Sequence, residues 1–124
     1  LELGANDALR GIAPKEARAN LDKILTAIKA TGADVLIAGM KAPGNWGDAY
    51  AKEFDAIFPD LAKKYDAALY PFFLEGVALK SSLVMSDGLH PTAQGVAEIV
   101  KRILPEVEAL VARASARKLA AGTK

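Results

Sequence analysis

The sequence predicts an α/β protein built on a parallel sheet. Three short apolar runs, "LEL" at 1–3, "VLIAG" at 35–39 and "AALYPFF" at 67–73, alternate with longer stretches that are apolar on one helical face only. Strand and helix in alternation imply crossover connections, and crossovers make the strands parallel. Gly and Pro fall at the junctions, at Gly4, Pro14, Gly32 and "KAPGNWG", where the chain has to turn.

Taken in order, "LEL" reads as the end of a strand stopped by Gly4, shorter than the typical strand of about five or six residues. A helix follows from about Pro14 to Thr31. Pro suits its first turn and Gly32 its stop, and Ala17, Leu21, Ile24 and Ile28 share one stripe. "VLIAG" is apolar at successive positions, as expected of a central strand covered on both faces. After the turn at 41–47, Tyr50, Phe54, Ile57, Leu61 and Tyr65 recur at helical spacing, and Pro59 is expected to kink or divide that helix. The aromatic members read most simply as core.

The run at 67–73 is the third strand, and some fifteen residues without periodicity then lead to Asp87, a length at which a loop is often functional. Pro91 and Thr92 open a last helix with a buried stripe of Val96, Val100, Ile103, Val107 and Leu110, and Pro105 is a potential kink. The expectation is one domain over 1–112, of about three strands and three helices, with 113–124 as a solvated tail.

Composition excludes several classes. Sixteen basic residues against fifteen acidic ones, with no block of like charge, leave no electrostatic footprint for nucleic acid. No apolar run reaches the roughly 18 residues of a membrane span. With no Cys there are no disulfides, thiolate metal sites or cysteine nucleophile, and the redox compartment stays open.

Two clusters follow predicted strands, on the side where such sheets place their ligand crevice. The first is "GAND" at 4–7. The second, "DGLHP" at 87–91, holds the only His of the chain. An Asp three residues before a His can accept a hydrogen bond from ring Nδ1 and leave Nε2 free to take a proton. Asp87 would then orient His90, and the Asn6 amide would serve an oxyanion without titrating. The plainer readings are that Asp87 caps the last helix and that "GAND" is a turn. Trp46, in its Gly-rich turn, would line a pocket or cap a helix.

The two clusters and the stretch between them resemble the SGNH, or GDSL, hydrolases, and within them the bacterial lysophospholipase, arylesterase and acyl-CoA thioesterase I group. "LELGANDALRG" is similar to the block that supplies the oxyanion Asn, and "SDGLHPTAQG" to the block that supplies the Asp and His of the triad. "KAPGNWGDAYAKEFDAIFPDLAKKYDAALYPFFLEGVALK" continues the likeness between them. The resemblance implies a flavodoxin-like three-layer α/β/α sandwich, of which this is the carboxyl-terminal portion. It also implies a serine ester or thioester hydrolase acting through an acyl-enzyme, without cofactor, on a small acyl ester or thioester. His90 is then the base, Asp87 its orienting partner and Asn6 the oxyanion donor. Ala8, Leu9, Arg10, Pro43, Asn45 and Trp46 would border the acyl or leaving-group pocket.

In the family the nucleophile sits in a Gly-Asp-Ser motif two strands earlier. That motif is expected on residues upstream of Leu1, on the same or a separate chain. Ser81, Ser82, Ser86 and Ser115 lie on no strand-to-helix elbow that would expose a hydroxyl to oxyanion donors. An uncovered sheet edge is expected at residues 1–4, and the resemblance favours a periplasmic or secreted protein. The competing expectation is a non-catalytic α/β binding or interaction domain.

Overall fold

The computed structural model describes residues 1–122. Strand β1 (Leu36–Ala38) pairs in parallel with β2 (Ala68–Tyr70), Ile37 standing opposite Leu69. The backbone groups of β1 alternate between its two sides. Val35 and Gly39 bond toward β2, whereas Leu36 and Ala38 bond to Leu1, and a parallel bridge joins Glu2 to Ala38. "LEL" thus lies along the far side of β1, giving the order 1–3, β1, β2. Every residue from Val35 to Met40 is buried, as the unbroken apolar run requires.

Among the described residues five helices surround this strip: α1 (Ala5–Leu9), α2 (Pro14–Ala30), α3 (Asp48–Asp55), α4 (Ile57–Tyr65) and α5 (Ala93–Gly122). Helices α2, α3 and α4 pack together, and their core includes Val35 and Ile37. Leu36 and Ala38 are buried outside that cluster, and α5 contacts both strands. Successive strand residues face opposite ways, so the sheet lies between two helical layers.

The central apolar unit is a run of rings at helical spacing. Tyr50 stacks on Phe54 at 6.0 Å, and Phe54 meets the edge of Phe58 at 5.7 Å. Phe54, Phe58, Ile57 and Leu25 are wholly buried, each contributing about 1.5–3 kcal/mol of transfer free energy. The opposing stripe of α2 is Ala17, Leu21 and Leu25, and the predicted members Ile24 and Ile28 are only half-buried.

Pro59 does not itself mark the break in the second helical stretch. The division falls at Ala56, and Pro59 sits in the first turn of α4, where its missing N–H costs no intrahelical bond.

Helix α5 departs from expectation in its buried stripe and in its length. Ile99 is buried and Ile103 and Leu110 half-buried, but Val96, Val100 and Val107 of the predicted stripe are exposed. Gly95 fixes the rotation: a side chain there would collide with the Leu83 carbonyl, so the Gly95–Ile99 face lies inward. Pro105 stands inside the helix without ending it. The residues expected to form a tail continue the helix as far as Gly122, and 123–124 lie outside the described residues. Arg113 and Arg117 each reach the Asp34 carboxylate at 3.1 Å, and Arg113 also pairs with Asp66 at 3.2 Å. The Asp34 side chain is only 2% exposed, so this contact ties the far end of α5 to the turn before β1.

Along residues 2–7 and the Ala17–Ile24 face of α2 runs an open groove of about 230 Å³. It borders the edge that the sequence leads one to expect uncovered.

Candidate active site

The loop from 83 to 92 is built by its own backbone. Met85 N–H donates to the His90 carbonyl at 2.7 Å, Thr92 N–H to Leu83 at 2.9 Å, and Val84 bridges Pro91 antiparallel. Gly88 N–H closes on Met85, and the turn takes φ 71° at Gly88, a conformation that suits glycine.

Within that loop the two carboxylate oxygens of Asp87 take separate partners. Oδ1 accepts the backbone N–H of Leu89 at 2.9 Å and of His90 at 3.0 Å. Oδ2 lies 2.7 Å from His90 Nδ1. The bond from the His90 ring, then the backbone bonds from His90 and Leu89, lower the Asp87 pKa to about 2. At neutral pH the carboxylate is therefore ionised and accepts from Nδ1–H, and in the neutral form of the ring that bond selects the tautomer with Nε2 as the acceptor. Nε2 has no protein partner among the described residues, and the ring is 73% exposed. None of the described serines is hydrogen-bonded to His90.

The plainer reading of Asp87 as cap of the last helix does not hold. Thr92 takes that role, its Oγ1 accepting Gly95 N–H at 3.2 Å. Thr is among the residue types favoured at an N-cap, and Thr92 stands directly before the first residue of α5.

"GAND" is more than a turn. Gly4, at φ 108°, swings the chain out of the strand, and Ala5–Leu9 then form one short helix. A side chain at Gly4 would press on Phe58, so the helix sits close on the core. Asn6 is exposed on it, and its amide has no partner among the described residues.

The six predicted pocket residues divide. Ala8 is 2% exposed and faces the core, because the inner side of so short a helix has to pack, so its side chain borders no pocket. Leu9, Arg10, Asn45 and Trp46 are exposed and Pro43 half-buried. Trp46 Nε1–H donates to the Ala8 carbonyl at 2.9 Å, and its ring covers Gly11 so closely that a side chain there would collide. Tyr50 OH donates to the Ile12 carbonyl at 2.8 Å. The "GNW" turn, a short 3-10 helix (Gly44–Trp46), and the 8–12 segment are thereby locked together. Neither bond to a backbone carbonyl is legible in the sequence, because carbonyls carry no residue-type signal.

The structure thus joins Asp87 with His90, and separately Ala8 with Trp46. Asn6 lines the groove beside α2, and neither Asp87 nor His90 lines that groove. A parallel α/β sandwich with a carboxylate–imidazole couple on the loop before its last helix defines the class: an α/β protein with an exposed imidazole held by a carboxylate.

Comparison with known proteins gives the family. Residues 1–97 match the model of the GDSL-like Lipase/Acylhydrolase family, and the chain belongs to that family. It is 39% identical over 111 residues to the thioesterase 1/protease 1/lysophospholipase L1 of Escherichia coli K12, covering 90% of this chain and 53% of that protein. It is 41% identical over 107 residues to an arylesterase of Vibrio mimicus, covering 86% and 54%. Among solved structures, the psychrotrophic esterase EstA from Pseudoalteromonas sp. superposes with a TM-score of 0.82 at 30% identity, over 88% of this chain and 60% of that one. The chain spans about half the length of the curated relatives it matches.

Proposed function

We propose that this chain supplies the base and part of the oxyanion site of a serine hydrolase acting on carboxylic esters or thioesters. The observation that carries the reading is the 2.7 Å contact of Asp87 Oδ2 with His90 Nδ1, which leaves Nε2 outward as an acceptor. In the reaction a serine Oγ attacks the acyl carbon as its proton passes to Nε2. The Asn6 amide donates to the oxyanion of the tetrahedral intermediate. Collapse expels the alkoxide or thiolate, which takes the proton from Nε2. Water, deprotonated by the same nitrogen, then attacks the acyl-enzyme; collapse returns the proton to serine and releases the carboxylic acid.

The nucleophile belongs to a segment outside these 124 residues. That assignment is supported by the span of about half the relatives' length and by the absence of a serine bonded to His90 among the described residues. The open groove along residues 2–7 is the surface such a segment would cover. The names of the relatives, thioesterase, lysophospholipase and arylesterase, agree with the reading. So does the structure of EstA, an esterase inhibited there by monoethylphosphonate.

The test uses the complete protein with a short-chain aryl ester. Hydrolysis is expected, and His90→Gln should abolish it while leaving the circular dichroism spectrum and thermal midpoint in place. A fully active Gln variant would refute the assignment, and a folded, complete protein inert toward esters and thioesters would favour a binding domain.

A further inference from the structure

We infer that Arg10 is a specificity-determining residue that selects ester substrates carrying an anionic group near the scissile carbonyl. The inference rests on the reading of Asn6 as oxyanion donor. Asn6 and Arg10 are four residues apart on one helical turn, with Arg10 at the helix end in right-handed α conformation and its N–H bonded to the Asn6 carbonyl at 3.1 Å. Residues at that separation share a face, about 5–6 Å apart at Cβ. Ala8 takes the buried side, so Asn6, Leu9 and Arg10 form the outward side. An amide donor, an apolar contact and a cation are thus presented together.

Two observations distinguish this cation from an ordinary surface arginine. First, it has no ion pair or hydrogen-bond partner for its guanidinium among the described residues, although Asp7 stands three residues before it. Arg18, Arg102, Arg113 and Arg117 all have carboxylate partners. Secondly, its backbone is held on both sides. Trp46 fixes the Ala8 carbonyl and Tyr50 the Ile12 carbonyl, and Ile12 N–H closes on Asp7 at 3.0 Å. The guanidinium swings from a fixed point one turn from the oxyanion donor, which limits the entropy lost when it meets an anion. A carboxylate, phosphate or sulfonate on the acyl chain or on the leaving group presents the same chemistry to it.

The experiment measures kcat/KM of the complete protein on three esters: neutral 4-nitrophenyl butyrate, the 4-nitrophenyl monoester of glutaric acid, and the butyrate ester of 4-hydroxybenzenesulfonate. The second carries its anion on the acyl side and the third on the leaving group. In Arg10→Gln the anionic-to-neutral ratio should fall about five- to tenfold on one arm, between the worth of an exposed ion pair and of a charge-assisted hydrogen bond. The arm that falls names the side. Arg10→Lys should recover at least part of the ratio, and about 0.5 M salt should lower it in the unmodified protein. A ratio on both arms that stays within about twofold in Arg10→Gln overturns the inference. Hydrolysis of the neutral ester by the unmodified protein reports separately on the reaction itself, so the two readings fail by different measurements.

Discussion

Replacing Asp87 by Asn separates the proposed catalytic role of this carboxylate from its structural one. The Asn side chain can keep its carbonyl oxygen at the Oδ1 position, where it accepts the N–H groups of Leu89 and His90 at 2.9 and 3.0 Å as the carboxylate does. The loop therefore stays folded. At the Oδ2 position, 2.7 Å from Nδ1, an acceptor becomes an NH₂ donor. The imidazole then has to offer Nδ1 as acceptor and carry its proton on Nε2, the nitrogen that receives the serine proton in the proposed mechanism. In the serine-hydrolase template this inversion of tautomer costs about 10⁴-fold in turnover.

The assay is continuous release of 4-nitrophenolate by the complete protein, with kcat and KM resolved and the thermal midpoint recorded alongside. A pH series adds a sign. The Asp87 pKa is depressed to about 2, so the carboxylate is ionised from about pH 4 upward. Its orienting effect is then fully present at neutral pH and is lost only as pH falls through about 2. Any rise of rate with pH above about 4 is accordingly not an ionisation of Asp87. A turnover number in Asp87→Asn within about threefold of the unmodified protein would refute the tautomer argument.

Two further outcomes follow from the same geometry. Asn6→Ala should lower kcat of the complete protein by about 100- to 1000-fold with a smaller change in KM, because the amide acts on charge that exists only in the transition state; an unchanged kcat would return "GAND" to a purely structural role. Gly39→Ala should destabilise the fold by about 2–3 kcal/mol in urea melts, since the added methyl would run into the Pro71 carbonyl, which is backbone and cannot rotate away; an unchanged midpoint would show that the β1–β2 junction yields.

What the sequence makes legible is what depends on neighbours in the chain. The α/β class, the central strand at 35–39 and the helix opened by Pro14 all rest on local periodicity and punctuation, and the structure has them. The Asp87–His90 couple belongs to the same category: both residues lie in one turn, and their separation is set by the bonds of that turn alone. Local pattern misleads where two apolar stripes compete. Helix α5 carries Ile99, Ile103 and Leu110 beside Val96, Val100 and Val107, and periodicity weights both alike. What decides between them is the absence of a side chain at Gly95 against the Leu83 carbonyl, a long-range fit that no window of the sequence contains. Arg113 and Arg117 likewise read as tail because Asp34, which they meet, lies some eighty residues away.

The two halves of the proposed site are held in different ways, and that difference bears on how they would work. The proposed base is held locally: Met85, Asp87 and Gly88 shape the loop around His90 through bonds among residues 83 to 92. Asn6, the proposed oxyanion donor, rides on a single helical turn that cannot be stable in isolation. It is held by Gly4 against Phe58 and by Trp46 and Tyr50 gripping the carbonyls that follow. Position at Asn6 is therefore set by the aromatic column running from Trp46 through Tyr50 and Phe54 to Phe58, whose inner members Phe54 and Phe58 also stand in the core. The rings that stabilise the fold thus also aim the amide. A substitution in that column perturbs Asn6 through packing while leaving the Asp87–His90 couple intact.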